Sequence, residues 1–207
     1  MVTTKLPQKI ELKQKLEVFE MISGIETKNR YEILDENKQN ILFADEKSSF
    51  LGRLILKKFR KLEINVVDST KKNVMKIQRE WFIFKPKHVI LDEKEQFLGS
   101  IIQKRIYFIR TKYHIYDAFD NFLFTCEYNL KDLKNFKIKD PKFCYRITKD
   151  NQTIATIIRK YGLKQMALQT ISDANNLFID FRDIKDEKKK YLVLAAAFAL
   201  DLHVWEK

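Results

Sequence analysis

Tyr191-Leu-Val-Leu-Ala-Ala-Ala-Phe-Ala-Leu200 has no polar face, and only after it does Asp201-Leu-His-Val-Trp-Glu206 follow. A helix on a protein surface shows one apolar stripe, whereas a helix apolar on every side is enclosed by protein or by lipid. Crossing a bilayer takes about 20 predominantly apolar residues, and a stretch of 10–14 is more often a core helix. The segment therefore predicts a buried helix with Leu192, Leu194, Phe198 and Leu200 among its packing residues. The rest of the chain must build the enclosure.

Working back from that helix, one unit recurs: an alternating apolar segment, a polar turn centred on aspartate, and a second apolar segment. Copies stand at Tyr31–Ala44 around Asp35, at Leu62–Ile77 around Asp68, and at Val89–Ile101 around Asp92. Two more follow at Tyr113–Phe124 around Asp117 and at Tyr145–Ile157 around Asp150. Period-two alternation with β-branched and aromatic residues marks strands, and the Asp/Asn/Lys clusters mark turns. Lys9–Phe19, Leu163–Thr170 and Leu177–Phe181 add strand candidates, although Leu12, Leu16 and Phe19 would also suit a helix. About a dozen antiparallel strands followed by one helix predict a mainly β fold. A sheet of that size removes its edges by closing into a barrel, and a barrel of about twelve strands is too wide for its own side chains to fill. The apolar helix supplies the filling.

Only four Gly and three Pro occur in 207 residues, and no linker composition appears, so one domain is expected, with a short flexible N-terminus of roughly 1–8. The formal net charge is +12, which predicts attraction to polyanions: an anionic membrane surface or nucleic acid. The start of the chain lacks the apolar core of a signal peptide, and no stretch reaches spanning length, so a cytoplasmic protein, peripheral to the cytoplasmic face of a membrane, is expected. Cys126 and Cys144 sit in strand contexts and read as buried structural thiols. His88, His114 and His203 are dispersed, and no nucleophile elbow, metal-spaced cluster or phosphate-cradling glycine loop exists, so no enzyme is expected.

Four stretches carry a resemblance to the phospholipid scramblases and their tubby-like relatives, which share a twelve-stranded barrel around a central C-terminal helix. Leu16-Glu-Val-Phe-Glu-Met-Ile-Ser-Gly-Ile-Glu-Thr-Lys-Asn-Arg-Tyr-Glu-Ile33 is similar to the family's opening segment. Phe43-Ala-Asp-Glu46 resembles its Phe-Ala-x-Glu turn, and Ile171–Phe181 its Thr-Asp-Ala-Asp-Asn-Phe-Gly-Ile-x-Phe segment. Ala197–Glu206 is similar to its closing Phe-Leu-Ile-Asp-Phe-x-Phe-Phe-Glu. No counterpart of the family's proline-rich N-terminal extension is expected, and the region matching its palmitoylated cysteine stretch, Phe50–Pro86, contains no Cys.

The resemblance implies contact with phospholipid membranes, redistribution of phospholipids between leaflets, and a calcium loop before the final helix. An EF-hand-like loop places oxygen ligands at positions 1, 3, 5, 7, 9 and 12, with Gly at 6. Counting from Asp173, Asn175 stands at position 3, but Leu177, Phe178 and Ile184 occupy positions 5, 6 and 12. Asp173 and Asn175, with Asp183 off register, form a degenerate calcium set, and a plain turn and strand fit the same residues. For lipid contact the candidates are Arg53, Lys57, Lys58, Arg60 and Lys61, interleaved with Phe50, Leu51, Leu54, Ile55 and Phe59, and Lys71 and Lys72 in the next turn. Trp81–Phe84 reads as an interfacial cluster or a core strand. Lys188–Lys190 are expected to mark the point where the helix leaves solvent, and Asp201 to need a buried partner. The rival reading is a cytosolic regulatory domain on the same barrel that binds phosphoinositides, nucleic acid or a protein partner.

Overall fold

A computed structural model describes residues 4–15, 30–47, 61–80, 85–105, 111–128, 142–160 and 176–202. Twelve strands and one helix occupy them. The strands are β1 (Lys9–Lys15), β2 (Arg30–Leu34), β3 (Asn40–Lys47), β4 (Leu62–Asp68), β5 (Asn73–Arg79) and β6 (Lys87–Asp92), then β7 (Phe97–Arg105), β8 (Lys112–Asp117), β9 (Phe122–Tyr128), β10 (Lys142–Lys149), β11 (Gln152–Lys160) and β12 (Leu177–Asp180); the helix α1 is Glu187–Leu200. Each strand pairs antiparallel with its neighbour in sequence, and β1 pairs with β12, so the sheet closes. The expected helix-filled barrel is the observed architecture. The stretches Leu163–Thr170, Trp81–Phe84 and the start of the segment at Ile171 lie outside the described residues.

The aspartate turns share one geometry, which explains their recurrence. In four of them the Asp Oδ1 accepts backbone N–H bonds from the residues two and four further on. Asp35 takes Asn37 and Gln39 at 2.8 and 2.9 Å, and Asp117 takes Phe119 and Asn121, each at 2.9 Å. Asp68 and Asp92 do the same. The fourth residue of each turn, Lys38, Lys71, Glu95 or Asp120, has φ between 57 and 64°. Beside each turn the pairing shifts by one residue, as between Ile33 and Leu34, which is a bulge. The β10–β11 hairpin differs: Asp150 and Asn151 both have positive φ, the two-residue type I′ turn whose twist matches that of the strands. All five hairpin turns lie at one end of the barrel, with the start of β1 and the N-terminus of α1.

Inside, alternate strand residues pack on α1. Leu192, Leu194, Phe198 and Leu200 are fully or almost fully buried, as is every residue from Lys190 to Leu200. Phe198 meets the Tyr31 ring edge-on at 5.1 Å. The helix runs so close to β7 that a Cβ on Gly99 would lie 2.3 Å from the Tyr116 carbonyl oxygen and 2.9 Å from Leu192 Cδ2. Glycine is required there for space.

The N-terminus of α1 is capped rather than open. Asp186 accepts the Lys189 N–H at 3.1 Å. Leu6, itself buried, donates its N–H to Glu187 at 2.8 Å, and Tyr191 Oη donates to the Thr4 carbonyl at 3.1 Å. Of the three lysines that open the helix, Lys188 is exposed and Lys190 is buried, donating to the Leu6 carbonyl at 2.7 Å and to Glu187 at 3.1 Å over the Phe181 ring. The aliphatic stem and satisfied ammonium let Lys190 enter the core, and the three lysines, exposed, half-buried and buried in turn, mark the expected passage out of solvent. Phe43–Glu46, matched by resemblance to a turn, lies within β3; Ala44 and Glu46 are buried while Phe43 is half-buried and Asp45 exposed, the alternation of a strand.

Candidate functional site: a charge-polarised barrel

The two ends of the barrel differ in charge. At the turn end Asp35, Glu36, Asp68, Asp92, Glu93, Glu95, Asp117, Asp120 and Asp150, with Asp180, Asp183, Asp186 and Glu187 between the barrel seam and the start of α1, are nearly balanced by Lys5, Lys9, Lys38, Lys71, Lys72, Lys94, Lys149, Arg182, Lys185, Lys188, Lys189 and Lys190. The four turn-opening aspartates are there to satisfy backbone N–H groups, so hairpin chemistry itself offsets the lysines of this end. Hydrogen bonds from the Thr70 hydroxyl and then from backbone N–H groups hold the Asp68 carboxyl below the usual carboxylate range. At Asp117 slight desolvation acts in the opposite sense, but bonds from Asn121 and backbone N–H groups prevail and lower it.

At the opposite end the outward side chains are mainly cationic. Lys13, Lys15, Arg30, Lys47, Lys61, Lys85, Lys87, Lys104 and Lys112 outnumber Glu32, Asp45, Glu63, Glu80 and Glu127. Several form surface pairs: Lys15 with Glu32 at 3.0 Å, Lys61 with Glu80 at 2.9 Å, and Lys112 with Glu127 at 3.4 Å. Exposed pairs of this kind contribute about 0–1 kcal/mol and can open toward another anion.

The candidates read from sequence fall on both ends. Lys61 stands exposed at the start of β4 on the cationic end, whereas Lys71 and Lys72 stand exposed in the turn at its other end. Seven strand residues at about 3.3 Å each separate them, so they belong to different surfaces. Arg53, Lys57, Lys58 and Arg60 lie outside the described residues, but Lys47 and Lys61, which flank that run, are both at the cationic end. Asp173 and Asn175 also lie outside them. Asp183 is exposed beyond β12, its N–H donating to the Ile154 carbonyl at 3.2 Å. Among the described residues no group of three His, Cys, Asp or Glu side chains is placed to hold a metal ion.

Two clusters were not singled out from sequence. The first lies inside the cationic end, where Glu46, Arg79, His88, Gln103 and Arg159 are buried, together with Asp201 just beyond α1. Asp201 accepts the Tyr31 hydroxyl at 2.9 Å, and the Tyr113 hydroxyl reaches the Ala199 carbonyl at 3.5 Å. Cations here face the negative end of the helix dipole, which favours them. Burial pushes the Tyr113 hydroxyl up, with Arg79 acting in the opposite sense. Parity was the available signal: Arg79 follows inward-facing Met75 and Ile77 at spacing two, and His88 precedes Ile90 in the same way.

The second cluster lies outside, on β7–β9 at the turn end. Phe97, Phe119 and Phe122 are exposed large hydrophobics, with Phe119 at the apex of its turn and 86% accessible. Phe122 packs on the His114 and Tyr116 rings at 5.1 and 6.0 Å, and Lys104 stands over Tyr116 at 5.9 Å. Desolvation, then the charges of Lys104 and Lys112, lowers the His114 pKa, so its imidazole is neutral at neutral pH.

Fold and surface together define a helix-filled antiparallel barrel with one cationic end and one whose charges nearly balance. The scramblase family model matches residues 3–207, and the chain belongs to that family. No curated protein and no solved structure matches it. No helix among the described residues is long and apolar enough to cross a membrane.

Proposed function

We propose that the chain is a peripheral phospholipid-membrane protein that meets an anionic bilayer surface through the cationic end of its barrel. The observation that supports this reading is the separation of charge along the barrel axis. A uniformly basic surface would attract polyanions from any side, whereas this one presents a turn end whose charges nearly balance and a cationic opposite rim. Each lysine brought to an anionic leaflet contributes about 1 kcal/mol, so four rim lysines amount to roughly a thousandfold in partitioning. Redistribution of phospholipids between leaflets, the activity in the family's name, is proposed to follow from this docking. Because α1 fills the barrel, it does not span the bilayer while the barrel stays filled. The docked rim would therefore act on the headgroup layer.

The test is co-sedimentation with phosphatidylcholine vesicles and with vesicles containing phosphatidylserine, with and without calcium. Binding should require the anionic lipid and proceed without calcium, and Lys15→Glu, Lys47→Glu and Lys61→Glu should each weaken it well over fivefold, since each removes a positive charge worth about 1 kcal/mol and adds a negative one. Lys71→Glu and Lys72→Glu should leave it within twofold. Equal loss from both sets, or no binding to anionic vesicles, would refute the reading. Binding that persists on a nucleic acid without lipid and falls steeply with salt would support the regulatory alternative.

A further inference from the structure

Where the barrel closes, the outer faces of β1, β11 and β12 and the β2–β3 turn enclose a groove of about 400 Å³, a size that suits a small ligand. We propose that this groove is a subsite for a zwitterionic phosphoester, a phosphate joined by a short chain to an ammonium group. The inference rests on the phospholipid reading above for the ligand class alone: the groove lies on the barrel wall beside the turns, away from the cationic rim, so it would take a headgroup that is free of the docked leaflet.

The groove has an apolar floor and both signs of charge on its walls. Phe178 and Ile158, side by side on β12 and β11, form the floor. Glu11 points outward from β1, yet it is 94% buried: its residual exposure is 6%. Asn176 donates to one of its oxygens at 2.7 Å, and the Lys38 ammonium donates to the other. The same ammonium stands 5.6 Å from the centre of the Phe178 ring. An aromatic face beside a buried carboxylate is the arrangement that binds organic ammonium ions. In the free protein Lys38 occupies that place as a tethered stand-in. At the groove mouth, Lys9 and Arg182 are held only by exposed pairs, to Glu36 at 3.4 Å and Asp180 at 3.9 Å, which can exchange for a phosphate. An anion alone would face the lining carboxylates and a cation alone would face Lys9 and Arg182. A ligand with both charges matches the walls.

The experiment is a two-dimensional ¹H–¹⁵N NMR titration of the whole chain in the absence of vesicles. Phosphocholine should produce saturable shifts at the amides of Glu11, Phe178 and Arg182, and inorganic phosphate or tetramethylammonium alone should bind at least tenfold more weakly. Phe178→Leu should weaken phosphocholine about fivefold, as removal of a partly desolvated cation–π contact does. Lys38→Met should tighten it severalfold by removing the tethered competitor, an effect that a merely structural role for Lys38 would not produce. A short-chain phosphatidylcholine below its micelle concentration tests the source. Tighter binding than phosphocholine supports a lipid headgroup, and equal binding supports a free phosphoester at the same site. Absence of saturable shifts, an equal response to phosphate alone, or weaker binding by the lysine variant would overturn the proposal. Because no bilayer is present, failure here leaves vesicle docking standing, and failure of vesicle docking leaves this titration interpretable.

Discussion

Replacing Phe198 with alanine is the sharpest test of the enclosed helix. Its ring is fully buried at the centre of the barrel, 5.1 Å from the Tyr31 ring at an interplanar angle of 89°. Truncating a buried phenylalanine costs about 3–5 kcal/mol, the transfer free energy of the lost atoms plus the cavity left in a wall that cannot collapse. A closed barrel is such a wall, because strands tied on both sides cannot move inward one at a time. The edge-to-face pair adds about 0.5–1.5 kcal/mol beyond burial, so about 4–5 kcal/mol is expected. With a urea dependence of about 2 kcal/mol per molar, the midpoint of unfolding should fall by about 2 M with an unchanged slope. Phe198→Leu, which keeps most of the volume, should cost less than half as much. Equilibrium urea unfolding followed by tryptophan fluorescence and circular dichroism measures both. A loss below 1 kcal/mol for the alanine variant would mean that the helix is not enclosed, and the barrel argument would fall with it.

Gly99→Ala should destabilise by about 3 kcal/mol, since its Cβ meets a strand carbonyl that cannot rotate away; thermal unfolding of the pure variant would read this as a lower midpoint. Burial pushes the Cys126 thiol far up, so it should resist alkylation in the native protein and react only in denaturant, which mass spectrometry of pulse-labelled protein would show. Asp68 should titrate below its unfolded value near 3.8. The depressed value gives the sign: its contribution is present above the unfolded pKa and is lost as pH falls through the folded one. Carboxyl-carbon NMR should therefore show the Asp68 transition moving up in Thr70→Ala.

Much of this fold was legible because its hairpins are local. Asp35, Asp68, Asp92 and Asp117 announce turns by a hydrogen-bonding habit that needs no tertiary partner, and alternation does the rest. The buried helix was legible from the missing polar face between Tyr191 and Leu200. The sites were harder to see because they are assembled across the sheet. Lys61 and Lys71 are close in sequence, but a strand carries them to opposite ends. Glu11, Lys38 and Phe178 come together only because β1 pairs with β2 on one side and with β12, far along the sequence, on the other. Arg79 and His88 obey the inward parity, but charged residues on a core face contradict the usual hydrophobic reading. They are accommodated because the negative end of the helix dipole faces them.

The seam that closes the barrel is short: Lys9 to Leu12 against Asp180 to Leu177. Its order in the chain has a consequence for synthesis. β1 emerges first and waits for a partner made last, and the helix that fills the interior follows that partner. Until both arrive, the nascent sheet has two open edges and an uncovered apolar concave face, the condition in which strands find wrong partners. Because the closing contact spans nearly the whole sequence, folding should be slow, and the last step should complete the wall and fill it together.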